Sequence, residues 1–509
     1  MKSILVFFVL IIILFSFGCN TKSTKEETKS YEPTWESLAG HEPAPEWFKD
    51  AKFGIYFHWG VYTVPAYGTE WYPRLMFIKG TNEYQHHVET YGHPTEFGYH
   101  DFVPDFKAEN FDATEWAALF KKAGARFAGP VAEHHDGFSM WDSDVTPWNA
   151  GDMGPKRDIT GELKEAITNE GMKFITTFHH ARHLQRYTDQ PYTETDENPD
   201  WNIHWNSHYP YITGYPTTSE DSVLKYLYGN IPEEEWLENV WLGKLKEVAE
   251  KYQPDIMWFD SWLDEIPESY RQKFAAYYLN QAEKWNKEVV IVRKQDDLPL
   301  TFSVDDLEKS RKRDIDTAAW MTDETISMGS WCYTENLDVK PAADLIHVLA
   351  DIVSKNGVLL LNVSPMSNGV IPENQKQVLL EMGDWIKQNG EAIYGTRPWY
   401  IYGEGPTTQP EGSFENHQDF LKVKYSEKDI RYTTKDDVLY AIILGKPVDQ
   451  VVMREFANQL AENQLEVATI SLVGSDASVN WNYTEDDFII DVPSADLDEM
   501  ANVFKIVFK

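Results

Sequence analysis

Cysteine is almost missing from this chain. Of 509 residues only Cys19 and Cys332 carry a thiol, so a disulfide framework is excluded. No Cys/His cluster has the spacing of a zinc site, and the His-Glu-x-x-His pattern of metalloproteases is absent. No metal or other cofactor is expected. Positive charge is scarce too: 46 Lys and Arg stand against 82 Asp and Glu, a formal charge of -36. That balance argues against nucleic acid as a partner, since phosphate binding needs the opposite sign. The acidity is spread along the chain and reads as a solvated surface. The one long apolar run, Ile4 to Leu14, is too short to span a bilayer. What the chain has in plenty is aromatic: 14% of residues, with 19 tryptophans, a composition suited to handling carbohydrate.

The N-terminus has the layout of a signal peptide. Lys2 precedes the apolar run, and Gly18-Cys19 follows it in the manner of a bacterial lipobox. Residues 20–40 are mostly polar and read as a flexible tether. These features predict an exported lipoprotein anchored through Cys19 and otherwise soluble. Its place would be the periplasm or outer-membrane surface of a Gram-negative bacterium, with the lipid anchor as its sole membrane contact.

From residue 41 to 398 a short apolar strand, a polar loop and an amphipathic helix recur. Strands are expected at Phe53–Phe57, Arg126–Val131, Lys173–Phe178, Ile256–Phe259 and Glu288–Val292. Three more are expected near Phe302–Leu307, Ala318–Thr322 and Val358–Val363. Eight such units predict a (β/α)8-like, or TIM, barrel, with a doubly wound sheet as runner-up. Beyond residue 399 the period changes to two. Phe420–Tyr425, Ile430–Thr434 and Asn502–Phe508 alternate, which predicts a C-terminal all-β sandwich over 399–509.

Barrel enzymes keep their chemistry at strand C-termini, and here those ends are rich in reactive side chains. The first strand runs into His58-Trp59-Gly60, with Glu70-Trp71-Tyr72 in its loop. The second runs into His134-His135-Asp136-Gly137-Phe138, the third into His179-His180-Ala181-Arg182-His183. The fourth ends at Asp260, between Trp258 and Trp262, and the fifth at Arg293-Lys294. Adjacent histidines on an extended chain point opposite ways, which argues against His134 and His135 sharing a metal.

These motifs, with Leu359-Leu360-Leu361-Asn362-Val363 and Gly390-Glu391-Ala392-Ile393-Tyr394-Gly395-Thr396-Arg397-Pro398, resemble the α-L-fucosidases of glycoside hydrolase family 29. The resemblance covers about residues 46–399. It implies a β/α barrel followed by a β-sandwich, and retaining hydrolysis of terminal α-L-fucose from an oligosaccharide or polysaccharide without a cofactor. It implies Asp260 as nucleophile. It implies fucose contacts from His58, Glu70, Trp71, His134, His135 and Trp258, with His179 at the third strand, where the family often has tyrosine and serine. Lys294 or Arg293 stands where the family usually has an arginine.

One part of the pattern is missing. Where many members carry a glutamate after a tryptophan, this chain reads Trp320-Met321, and methionine cannot transfer a proton. Asp323, Glu324 and Glu308 lie close enough in sequence to substitute. Glu308, at the end of the sixth strand segment, is the expected acid/base, with Asp323 next. The long insertion between His183 and Trp236, carrying Trp201, Trp205, Tyr209, Tyr211 and Tyr215, is expected to shape the leaving-group side. Two other functions stay open on sequence: a related exo-glycosidase such as an α-L-galactosidase, and a glycan-binding lipoprotein without catalysis.

Overall fold

The computed structural model describes residues 29–191, 205–410, 412, 417–420, 422–484 and 486–509. Cys19, the leader and Trp201 lie outside them. Eight parallel strands form one sheet: β1 (Phe53–Phe57), β2 (Phe127–Glu133), β3 (Lys173–Phe178), β4 (Ile256–Phe259), β5 (Val290–Arg293), β6 (Val304–Asp305), β7 (Trp320–Thr325) and β8 (Gly357–Val363). Their order is β6-β5-β4-β3-β2-β1-β8-β7, and a parallel bridge from Asp306 to Met321 closes the ring. Every residue of β1, β2, β4, β5, β7 and β8 is buried, as strands covered on both faces must be.

The helices Ala113–Lys122, Ile159–Asn169, Leu242–Tyr252 and Glu268–Trp285 connect β1 through β5. Ala342–Ser354 links β7 to β8, and Glu373–Asn389 follows β8. No helix separates β5, β6 and β7 among the described residues, so strict alternation fails there. The chain at 308–316 is a charged run with too few apolar residues to bury a helix face. The sixth strand shrinks to two residues, and the seventh starts later than expected, at Trp320.

Side chains of successive strand residues face opposite ways. The inward set is one apolar cluster: Tyr56, Ile175, Ile256, Trp258, Val290, Val292, Val304, Met321, Val358 and Leu360. This filled interior is the floor on which the site stands.

The C-terminal region holds a five-stranded antiparallel sheet and a three-stranded one, with a shared core including Tyr432, Phe456, Phe488, Phe504 and Ile506. Its first strand, Arg397–Glu404, begins two residues inside the expected barrel segment. Phe420 ends a short helix, His417–Phe420, rather than opening the expected strand, and its ring packs under Arg311. Buried polar contacts fasten the two units. Arg431 Nε donates to Asp351 at 2.6 Å, and Trp385 Nε1 to the Ala501 carbonyl at 2.8 Å.

The tether expected over 20–40 is corrected from Tyr31 onward. The Tyr31 amide donates to Asn280 Oδ1 and the Tyr31 carbonyl accepts from Asn280 Nδ2, each at 2.8 Å, Trp35 stacks on Phe302, and Leu38 is buried. Three apolar anchors in a polar stretch suffice to dock it on the barrel.

Candidate active site

Strand parity carries the barrel floor upward into a polar ring. Two residues beyond an inward apolar side chain come His58 after Tyr56, Asp260 after Trp258 and Lys294 after Val292. Asp306 follows Val304, Asp323 follows Met321 and Asn362 follows Leu360 in the same way. His179 continues the inward line of Ile175 and Thr177. Parity also settles the basic residue of the fifth strand. Arg293 faces away, toward Asp305 and the Leu298 carbonyl, while Lys294 faces in.

Lys294 is the hub. Its Nζ lies 3.1 Å from Asp260 Oδ1, 3.0 Å from Glu308 Oε2 and 3.3 Å from Asp323 Oδ2, so its three donors meet three carboxyl groups. The Trp258 ring lies 4.7 Å beneath it. Trp258 itself is wholly buried in the barrel interior and is not among the residues that line the cavity. It lies one layer down, supporting Lys294 and the ring of His179.

Asp260 Oδ2 stands 3.3 Å from His135 Nε2 and 3.3 Å from His179 Nδ1. Burial alone would raise its carboxyl. The charges of Lys294 and His179, with hydrogen bonds from both histidines, overturn this and hold it well below the usual carboxylate range. Burial lowers His135 to about 4, against the pull of Asp260, so it is a neutral donor at neutral pH. His58 and His134 are held well below the usual value, first by burial and then by neighbouring His179.

The tautomer of His58 follows from its partner. Asn362 Nδ2 donates to the Trp331 carbonyl at 2.7 Å, so its Oδ1 faces His58 and accepts from Nδ1 at 2.8 Å. His58 Nε2 is then left as an acceptor. His134 Nδ1 and His179 Nε2 have no hydrogen-bond partner among the described residues. His134 and His135 do not face opposite ways as expected, because β2 ends at Glu133 and the pair lies in the segment that turns after it. Both line one cavity with ring centroids 4.7 Å apart. Ligand atoms of His58, His134 and His179 lie within 4.8 Å of one another, as do those of His135, His179 and Asp260.

The cavity measures about 260 Å³. It is lined by His58, Glu70, Trp71, His134, His135, His179, Asp260, Lys294 and Glu308 among the expected residues. Arg182, Trp205, Ser261, Trp262, Asp323 and Trp331 complete the lining. Glu70 Oε2 accepts from Ser330 Oγ and the Trp331 amide, each at 3.2 Å, and burial raises its carboxyl. Glu324 faces out of the barrel and pairs with Lys340 at 2.8 Å, so it takes no part in the cavity. Asp306 was not singled out by sequence. Burial and the charge of Asp323 push its carboxyl well above the usual range, so it stays protonated beside Asp323.

Three carboxyl groups around a hub lysine and a ring of imidazoles at the mouth of a closed barrel suit a sugar with several hydroxyls. The family model for α-L-fucosidase matches residues 19–391, and that for the α-L-fucosidase C-terminal domain matches 424–509. The chain belongs to the α-L-fucosidase family. It is similar to the tissue α-L-fucosidase of Rattus norvegicus, 28% identical over 89% of this chain and 86% of that protein. The tissue α-L-fucosidase of Homo sapiens is 27% identical over 94% and 91% of the two chains. The crystal structure of Thermotoga maritima α-fucosidase in complex with fucose superposes with a TM-score of 0.72 at 29% identity, covering 94% of this chain and all of that one. The barrel and sandwich are thus those of a fucosidase, and the chain is a glycoside hydrolase.

Proposed function

We propose that this fucosidase is a retaining, exo-acting enzyme that removes terminal α-L-fucose from glycans by double displacement. The observation that carries this reading is the shared ammonium of Lys294. Asp260 Oδ1 and Glu308 Oε2 bond to one Nζ, so these oxygens are no more than about 6 Å apart. Retaining glycosidases place their two carboxyl groups roughly 5–5.5 Å apart, and inverting ones leave room for a water between them.

Asp260, ionised and oriented by His135, His179 and Lys294, attacks the anomeric carbon. The glycosidic oxygen leaves with a proton from Glu308. Water then attacks the fucosyl ester, gives its proton to Glu308, and releases fucose and the Asp260 carboxylate. Glu308 is favoured over Asp323 for this proton. Glu308 is 16% exposed and can exchange with solvent, whereas Asp323 is 1% exposed and is hydrogen-bonded by Tyr56 at 2.8 Å. A cavity of about 260 Å³ lies below the usual range for drug-sized ligands, which suits one sugar ring and hence exo action.

The test is turnover of aryl α-L-fucoside against aryl α-L-galactoside, with the anomer of the first product followed by NMR. The expected result is a strong preference for fucoside and initial release of the α-anomer. Initial β-fucose would end the double-displacement reading, and preference for the galactoside would favour the related exo-glycosidase. Export and anchoring through Cys19 rest on the leader and lipobox. Among the described residues no helix is long and apolar enough to cross a membrane. The lipoprotein reading predicts that Cys19→Ser moves the protein from the membrane fraction to the soluble one. A wild-type protein already wholly soluble would end it.

A further inference from the structure

Arg182 follows β3 in a one-turn 3-10 segment, His180–Arg182, and is completely buried. None of its three side-chain nitrogens has a hydrogen-bond partner among the described residues. Three indole faces surround it instead. Its guanidinium carbon lies 4.9 Å from the ring of Trp71, 4.5 Å from Trp205 and 4.9 Å from Trp262. A charge stripped of water and hydrogen bonds is unfavourable unless something replaces them, and the electron-rich faces of tryptophan do so in part.

The three tryptophans come from separate segments. Trp71 sits beside Glu70 in the loop after β1. Trp205 belongs to the insertion between β3 and β4. Trp262 lies two residues past Asp260, with a φ of 74° that only a well-determined surrounding sustains in a bulky residue. The rings of Trp71 and Trp205 are nearly parallel, 5.7 Å apart at 8°, and Trp262 meets Trp205 edge-on at 6.0 Å. All three are half-buried and line the cavity. Trp205 thus touches both other rings, and the Arg182 guanidinium meets all three.

We propose that Trp71, Trp205 and Trp262 form a platform for the sugar to which fucose is attached, and that Arg182 is the positioning residue that holds it. The inference rests on the fucosidase reading of the cavity below. The pocket has room for one ring, so the next sugar lies over the mouth. There the walls offer indole surface, which matches the C–H face of a galacto- or gluco-configured pyranose. Because the rings and the protein cover the guanidinium fully, it acts through them rather than by binding an anionic group directly.

The experiment compares kcat and KM on α-L-fucosyl fluoride, which has no second sugar, with those on an α-L-fucosylated galactose disaccharide. The enzymes are wild type, Arg182→Met, Arg182→Lys and Trp205→Ala. Arg182→Met and Trp205→Ala are expected to lose at least about tenfold more kcat/KM on the disaccharide than on the fluoride, chiefly through KM. Arg182→Lys, which keeps the charge, should recover most of that difference. Equal losses on both substrates, whatever the change in thermal stability, would reduce Arg182 to a structural residue and overturn the proposal. Wild-type preference for an anionic aryl fucoside that vanishes in Arg182→Met would overturn it too, in favour of an anion site. Asp260→Asn separates the two levels of argument. If it leaves turnover of the fluoride intact, the reading of the cavity fails, not only that of the platform.

Discussion

The ammonium of Lys294 lies 3.1 Å from the Asp260 carboxylate, deep in the barrel mouth, and is the strongest charge opposing the effect of burial on that carboxyl. Asp260 must be ionised to attack, and its carboxyl is held low, so wild-type kcat/KM should persist below the ordinary Asp value of about 4. Replacing Lys294 with Met leaves burial unopposed by that charge. The acid limb of the pH profile should then move upward, with activity lost at mildly acidic pH where wild type still works. Lys294→Arg keeps a charge and should shift the limb less. A Lys294→Met profile with an unmoved acid limb would show that Asp260 is kept ionised by something else.

Glu308 and Asp323 share Lys294, yet only one transfers the proton in the proposed reaction. Glu308→Ala is expected to lose about 10²–10⁴-fold on natural glycosides, while fluoride and dinitrophenyl leaving groups are largely spared, because they depart without a proton. Added azide should intercept the fucosyl ester in this variant and give a fucosyl azide of retained configuration. Glu70, a cavity carboxyl that burial raises, is the control. If Glu70→Ala shows the leaving-group dependence and Glu308→Ala does not, the assignment passes to Glu70.

The barrel was largely legible because its strands are short apolar runs closed by polar residues. β1, β3 and β4 coincide with Phe53–Phe57, Lys173–Phe178 and Ile256–Phe259. Where a strand is two residues long, as at Val304–Asp305, periodicity has nothing to work on, and the segment was drawn too wide. Most cavity residues were visible as strand ends. That Trp258 lies one layer below Asp260 does not follow from their proximity in sequence; counting inward positions down the strand shows it. The same count would have found Asp306. Arg182 was in view at the end of the third strand and Trp205 in the insertion, but the contact that joins them is tertiary, which no local pattern encodes. The histidine pair misled because an extended chain was assumed where the strand had already ended.

The histidine cluster carries its own prediction. His58, His134 and His179 bring three ring nitrogens within 4.8 Å of one another, and imidazole nitrogens are common ligands of zinc and copper. The proposed reaction needs no ion, so dialysis against EDTA should leave kcat/KM unchanged. Added Zn²⁺ should inhibit, and fucose should compete with it for the same nitrogens. Activity lost to EDTA and restored by Zn²⁺ would instead make the cluster a metal centre.

Asp136, next to His135, links the site to pH-dependent stability. It is 1% exposed, and Tyr99 Oη donates to its Oδ2 at 2.6 Å. Burial outweighs that hydrogen bond and pushes the carboxyl up to about 7. In the unfolded chain the group titrates near 4. Between these values the folded protein holds a proton that the unfolded chain has lost, so this residue makes stability fall as pH rises. Below about pH 4 both states are protonated and the effect vanishes; above about pH 7 it is complete. A shift of this size corresponds to at most roughly 4 kcal/mol. Asp136→Asn keeps an oxygen for Tyr99 and removes the titration. Carboxylates held low elsewhere, Asp260 among them, pull the other way, so the quantity to read is the difference in Tm between variant and wild type at each pH. That difference should move in favour of the variant from pH 4 to pH 7 and then level off. A difference that stays flat across this range would mean that Asp136 is ionised in the fold and that the Tyr99 hydrogen bond outweighs burial.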